Sequence, residues 1–198
     1  GLYTAGQING TSGYEEAAAQ GLIAGINAAL VINGRPPYWP SRTSSYMGVL
    51  VDDLSIWHKP EPYRITPGHA EFRLTLRDDS AERRLTREGY AIGLVSAERY
   101  AQINEWTTRI EDELARLETL SLFPSEEMRE KLVSSGTGDL KKRVSGCEIL
   151  QRPGISYNDV RNLLAEAKLD WLSAPDEIYS LETEIKYQGY FERESEKI

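Results

Sequence analysis

Across residues 96–120 apolar side chains return with the period of an α-helix. Ile103, Ile110 and Leu117 recur every seven residues, and Trp106, Leu114 and Leu120 flank the same stripe. At 1.5 Å per residue this helix spans roughly 37 Å, so long helices are expected to organise the fold. An earlier helix is predicted over residues 13–30. Glu15 and Glu16 fall in its first turn, where carboxylates complement the helix dipole, and Thr11 and Ser12 are suited to cap it. Shorter helices are predicted over 46–57 and 85–93. Another opens at Pro124-Ser125-Glu126-Glu127 and stops at Gly136-Thr137-Gly138, and two more cover 157–172 and 175–196. Residues 2–5 read as a short strand that enters a glycine-bearing loop. Residues 70–77 alternate with period two and by pattern alone suggest a strand.

The helix after the glycine loop is unusual, because Ala17, Gly21 and Gly25 recur every fourth residue and make a smooth ridge. Each interior glycine costs roughly 1 kcal/mol relative to alanine, a cost usually offset by close approach of a backbone or ligand. A strand, a glycine loop and a helix N-terminus also form a general anion site. That pattern alone is weak, since tight helix–sheet packing explains it equally well and the phosphate-cradle motifs GxGxxG and GxxxxGK[ST] are absent.

Charge separates further classes of function. The net charge of −8 argues against general nucleic-acid affinity. Residues 59–87 nevertheless hold seven basic and five acidic side chains, and 136–152 hold four and two. The acid is concentrated in 88–135 and 176–198. A single cysteine, Cys147, excludes an internal disulfide framework and a cysteine-rich zinc site. It agrees with a reducing cytosolic setting, and Cys147 itself reads as a small buried apolar residue. No apolar run of about 18 residues addresses the chain to a membrane. Asp52 and Asp53 point about 100° apart on a helix, so capping or ion pairing is preferred to metal binding. Tyr157, Trp171, Tyr187 and Tyr190 could stack nucleobases, although aromatic residues at helical spacing more often fill a core. His58 beside Trp57 reads as structural.

The wording of several segments is more specific than any pattern. "AGQINGTSGYEEAAAQGLIAGINAA" near the start, "YMGVLVDDL", "EPYR", "AEFRLTLRDDSAERRLT", "GLV" and "IKYQGYFERE" follow in order along the chain. Together they resemble the glucose-inhibited division protein A family, the tRNA uridine 5-carboxymethylaminomethyl modification flavoenzymes. The resemblance implies a mainly α chain: the terminal strand–loop–helix of an α/β FAD-binding domain over residues 1–43, then an α-helical domain over 44–198 facing tRNA and partner. It implies a C-terminal fragment of a larger cytoplasmic enzyme that uses FAD, NADH and a folate one-carbon donor. With a partner GTPase that enzyme elaborates the wobble uridine of tRNA, and it forms a homodimer. The isolated fragment is expected to be inactive and to bind no flavin.

By the same resemblance Gln7 lies nearest FAD, with Asn9, Gly10, Thr11, Ser12 and Gly13 supporting that wall. Arg64 and Arg73, in "EPYR" and "AEFR", are candidate tRNA contacts together with Arg77, because a guanidinium fork matches phosphate. Arg83, Arg84 and Arg87 are weaker candidates, and Glu71 is expected to pair with one of these arginines. Family members commonly carry Ser-Arg before "AE", whereas this chain has Gly68-His69, which places a titratable His69 on the RNA-facing segment. The resemblance also favours a helix over 67–78 in place of the strand. The rival function is a helical adaptor that docks the GTPase or a second copy without touching tRNA.

Overall fold

Helices dominate the computed structural model, which describes residues 1–56, 60–134, 140–164 and 169–196. In order they are α1 (Tyr14–Ile32), α2 (Tyr46–Ile56), α3 (Ala81–Ile92), α4 (Ala97–Thr119), α5 (Glu126–Ser134), α6 (Gly146–Leu150), α7 (Tyr157–Leu163) and α8 (Pro175–Ser195). The described strands are β1 (Ser121–Leu122) and β2 (Val144–Ser145), paired antiparallel with Ser121 opposite Ser145 and Leu122 opposite Val144. The expected mainly helical class is borne out, and compact packing divides the chain into two units, Gly1–Ile103 and Asn104–Glu196. Trp57, His58 and the stop at Gly136-Thr137-Gly138 lie outside the described residues.

In the first unit, residues 2–5 form no strand. A strand needs a neighbour for its ladder, and the chain instead turns through a 3-10 segment, Gly6–Asn9. Helix α1 begins where expected, but its N-cap is Gly13 and no side chain caps it. Thr11 and Ser12 are diverted: Thr11 forms a parallel bridge with Tyr63, and the Ser12 amide donates to the Tyr63 carbonyl. The buried face of α1 mixes Ile23, Ile26 and Leu30 with Glu16, Gln20 and Asn27. Each polar member secures a loop. Asn27 holds Tyr38 through both of its backbone polar groups, donating to its carbonyl (3.0 Å) and accepting from its amide (2.6 Å).

Residues 70–77 are neither the patterned strand nor the favoured helix over 67–78. A short 3-10 turn, Pro67–His69, leads into consecutive turns in which the Thr75 and Leu76 amides both donate to the Phe72 carbonyl. Ala70, Phe72 and Leu76 are buried with Val49, against half-buried Tyr46 and Ile65. Hydrophobic burial here selects a compact bend, and among the described residues no strand lies alongside to pair with it. Gly93, at φ 88°, ends α3 in the left-handed conformation that favours glycine.

The second unit contains the larger core. Ile110 and Leu117 of α4 meet Leu122, Leu140, Val144, Ile149, Leu150, Ile155, Tyr157, Val160, Leu181 and Ile185. Ser145 and Ser156 open α6 and α7 through reciprocal capping boxes with Glu148 and Asp159. The helix expected over 157–172 is shorter, since α7 ends at Leu163 and residues 169–174 are irregular. Leu172 donates its amide to the buried Tyr157 hydroxyl (2.9 Å) instead of to a preceding helical carbonyl. Pro175 also holds Ala174 extended, which breaks the helix before α8.

Candidate functional site

The loop Gly6–Gly13 and the start of α1 form a built structure. Gly6 and Gly10 have φ of 84° and 85°, the left-handed region, at the two ends of the 3-10 turn. Gln20, about two turns along α1 from Gly13 and 6% exposed, reaches back under the loop. Its Oε1 accepts from the Gly6 amide (3.1 Å) and from Asn9 Nδ2 (2.7 Å), while its Nε2 donates to Thr11 Oγ1 (3.0 Å). Asn9 also donates to the Thr4 carbonyl (2.9 Å). Gly6 lies so close to α1 that an added Cβ would stand 3.4 Å from the Ala17 Cβ. Gln7, Gly10 and Ser12 are exposed, and Gly13 is half-buried. A cleft of about 430 Å³ adjoins the loop, walled by Asn9, Gln20, Ile23, Ala24 and Trp39.

Glu16 is the other buried polar group at this helix start. Its Oε1 accepts from the Ile65 amide (2.8 Å), and its Oε2 has no hydrogen-bond partner among the described residues. Its carboxylate occupies the space into which a Gly13 side chain would project.

Beside this loop lies a charge cluster centred on Arg42, a residue that sequence reasoning passed over. Its Nη1 contacts Asp52 (2.9 Å) and Asp53 (2.5 Å), and its Nη2 contacts Glu71 (2.8 Å) and the His69 carbonyl (3.1 Å). Burial lowers the pKa of the Arg42 guanidinium, but the hydrogen bonds it donates to Glu71 and Asp53 outweigh it and the net shift is upward. The same hydrogen bond from Arg42 holds the Glu71 carboxyl below its ordinary range. The fully buried Tyr63 donates its hydroxyl to Asp53 (2.6 Å), and burial followed by that bond pushes the phenol up. Asp52 and Asp53 are therefore ion-paired, one of the two roles preferred to metal binding, and Glu71 is paired to Arg42 and not, among the described residues, to an arginine of the 64–87 strip.

The sequence-derived basic candidates separate clearly. Arg64 and Arg73 are exposed, with no ion pair or hydrogen bond from their guanidiniums to any described residue. Arg77 is half-buried and engaged with Asp79 (2.9 Å) and the Leu74 carbonyl (2.8 Å). Arg84 bonds the Arg77 carbonyl and Ser80 Oγ. His69 is half-buried beside the Tyr63 ring, and its Nδ1 accepts the Thr66 amide (3.1 Å) to complete a capping box. The Gly68-His69 departure thus has a local structural task.

Of the aromatic candidates, Tyr157 is core and bonds Glu113, Trp171 is half-buried under the Arg116 guanidinium, and Tyr187 and Tyr190 are exposed. Cys147 is buried as expected. Among the described residues no group of three or more His, Cys, Asp or Glu could hold a metal ion, and no helix is long and apolar enough to cross a membrane.

Comparison with known proteins agrees with this architecture. Residues 97–195 match the family described as tRNA modifying enzyme MnmG/GidA C-terminal helical domain, and residues 1–36 match the family described as Glucose inhibited division protein A. The chain is 44% identical over its whole length to the tRNA uridine 5-carboxymethylaminomethyl modification enzyme MnmG of Caldicellulosiruptor saccharolyticus, and 45% identical to that of Streptococcus pneumoniae. It spans 31% of the length of each. Aquifex aeolicus GidA in its form II crystal superimposes with a TM-score of 0.84 at 34% identity, covering 99% of this chain and 30% of that one. Its form I crystal gives 0.79 at 32% identity, covering 97% and 28%. By sequence and by fold, this chain belongs to the MnmG/GidA family of tRNA-modifying enzymes.

Proposed function

We propose that the chain forms one wall of an FAD site and an RNA-facing helical surface in an enzyme that modifies the wobble uridine of tRNA. In this reading residues 1–43 complete the flavin-binding domain and residues 44–198 form the tRNA- and partner-interacting domain. The partner GTPase, the NADH and folate requirements, the homodimer and the cytoplasmic setting come with the family resemblance.

The loop fits one edge of a flavin ring better than a pyrophosphate. Exposed Gln7 and Gly10 sit on a support held from behind by Gln20 and Asn9. The α1 N-terminus already carries Glu15 and buried Glu16, so a phosphate placed there would meet like charge. When bound, FAD supplies hydride chemistry that side chains lack. This chain's own residues hold and orient the ring edge and keep water from the clasped side of the loop.

The observation that carries the RNA assignment is the pair of exposed guanidiniums at Arg64 and Arg73, neither of which has a hydrogen bond or ion pair among the described residues. Net charge opposes long-range attraction, but screening limits such fields to about 8 Å at physiological salt. Two free forks can therefore decide local contact. In the full-length enzyme, Arg64→Ala and Arg73→Ala should each weaken tRNA binding with FAD content unchanged. Each should also flatten the dependence of log affinity on log salt by somewhat under ~1 unit. Unchanged affinity and slope in both variants would remove the RNA assignment and favour the adaptor. The isolated 198-residue chain is expected to be colourless, and stoichiometric flavin absorbance would contradict that.

A further inference from the structure

We propose that Gln20 is the positioning residue of the flavin-facing loop, acting through Gly6, Asn9 and Thr11 without touching the ring edge that Gln7 meets. The proposal rests on the reading of residues 6–13 as a cofactor wall. Its basis is an arrangement that spans the loop. One amide side chain, buried on α1, accepts from a backbone N–H at the loop's entry and from the side chain of Asn9 in its middle, and donates to the Thr11 hydroxyl at its exit.

This arrangement needs an amide. Two donors converge on Oε1 within 3.1 Å, and one acceptor faces Nε2. A methionine thioether of similar length, at best a weak acceptor, leaves the Gly6 amide without its carbonyl acceptor and leaves Asn9 Nδ2 with the Thr4 carbonyl alone. A carboxylate keeps both acceptances, and the Thr11 hydroxyl can rotate to donate to it. Gln20→Met and Gln20→Glu therefore separate shape from charge. The first releases the loop. The second keeps the loop anchored and places a negative charge behind it.

The position on α1 is also specific. Gln20 lies one turn beyond Glu16 and seven residues before Asn27, so all three project from one face. Glu16 secures Ile65 and Asn27 secures Tyr38, which leaves the loop to Gln20. Gln20 also lines the cleft beside the loop, so charge placed there lies directly against the loop it anchors.

The test uses the full-length enzyme and measures FAD dissociation by fluorescence and the flavin midpoint potential by photoreduction. Gln20→Met should weaken FAD binding by about tenfold or more, the effect of leaving a buried donor unpaired. Gln20→Glu should retain flavin within a few-fold, move its midpoint potential more negative and shift its visible spectrum. Gln7→Ala serves as the control for the wall itself. If Gln7→Ala weakens FAD binding while Gln20→Met does not, the wall stands and the positioning role of Gln20 is overturned. If neither variant changes FAD affinity, the wall reading falls and the proposal falls with it. Should Gln20→Met fail to fold, Gln20→Glu decides: flavin retained at an unchanged potential overturns the proposal, and a negative shift supports it.

Discussion

Replacing Arg42 by methionine keeps an apolar stem but removes the one cation shared by three carboxylates. Asp53, with its side chain 12% exposed, loses a charge-assisted contact at 2.5 Å and keeps the Tyr63 hydroxyl. Hydrogen bonds to charged groups contribute about 1.5–3 kcal/mol each. Asp52 and Glu71 are 53% and 52% exposed, so those pairs contribute at most about 1 kcal/mol each after solvent screening. The carbonyls of Val49 and His69 lose a donor as well. The expected loss is about 3 kcal/mol. For a unit of about 100 residues it corresponds to a fall in Tm of roughly 12–24 °C. Thermal unfolding followed by circular dichroism would measure the fall, and amide exchange would assign it to the first unit, with the α4–α8 core unchanged. Because Glu71 titrates below its ordinary range in the folded state, its contribution is present above its unfolded pKa and lost as pH falls through the folded one. Arg42→Met should flatten that acid limb. A destabilisation below about 1 kcal/mol, with the acid limb intact, would refute the view that Arg42 organises this cluster.

Glycine positions divide in the opposite sense. A Cβ at Gly48 would stand 2.0 Å from the Ser41 carbonyl oxygen and 2.8 Å from the Arg42 nitrogen, both backbone, so Gly48→Ala should cost about 2–3 kcal/mol in urea unfolding. Gly21 and Gly25 face open space, and alanine at either should stabilise the isolated chain by about 0.5–1 kcal/mol through helix propensity alone. Burial, followed by the charges of Glu118 and Glu113, pushes the Cys147 thiol up to about 11. Its alkylation at pH 8 should run at least about a hundredfold slower than for a free thiol of pKa ~8.5, and a rate near the free value would show the site to be open. The same raised pKa contributes stability that is complete below the unfolded value and is lost as pH rises towards about 11.

The long helices were legible because their burial follows one period. Ile103, Ile110 and Leu117 are all buried, and α4 begins and ends within one residue of its expected limits. The 70–77 segment misled because alternation is a property of a strand in a sheet. With no partner strand, burial falls on Ala70, Phe72 and Leu76, while Leu74 is only half-buried. The loop Gly6–Gly13 could be named from its wording, but its support could not. Gln20 and Glu16 interrupt the apolar face of α1, and a polar residue at an inward position is a visible signal that something must satisfy it. Arg42 gave no such signal. It sits in a Pro-Ser-Arg-Thr loop, 10 and 29 residues from Asp52 and Glu71, and such distant pairing is not written in local spacing.

The two faces of α1 answer different physical demands. On the buried face Glu16, Gln20 and Asn27 replace apolar contacts with directional bonds to three separate loops, and Ala17 is small enough for Gly6 to lie against it. On the other face a Cβ at Gly21 or Gly25 would meet nothing among the described residues, and Leu22 and Ile32 are exposed beside them. Interior glycines weaken a helix by roughly 1 kcal/mol each, yet neither is approached closely by a neighbour among the described residues. Packing within the two units therefore accounts for the polar positions of α1 and for Ala17, but not for its two interior glycines. A surface from outside these residues that approached the helix backbone closely would offset that cost. If that surface is present in the full-length enzyme, the alanine variants that stabilise the isolated chain should destabilise the enzyme, and that reversal of sign is measurable.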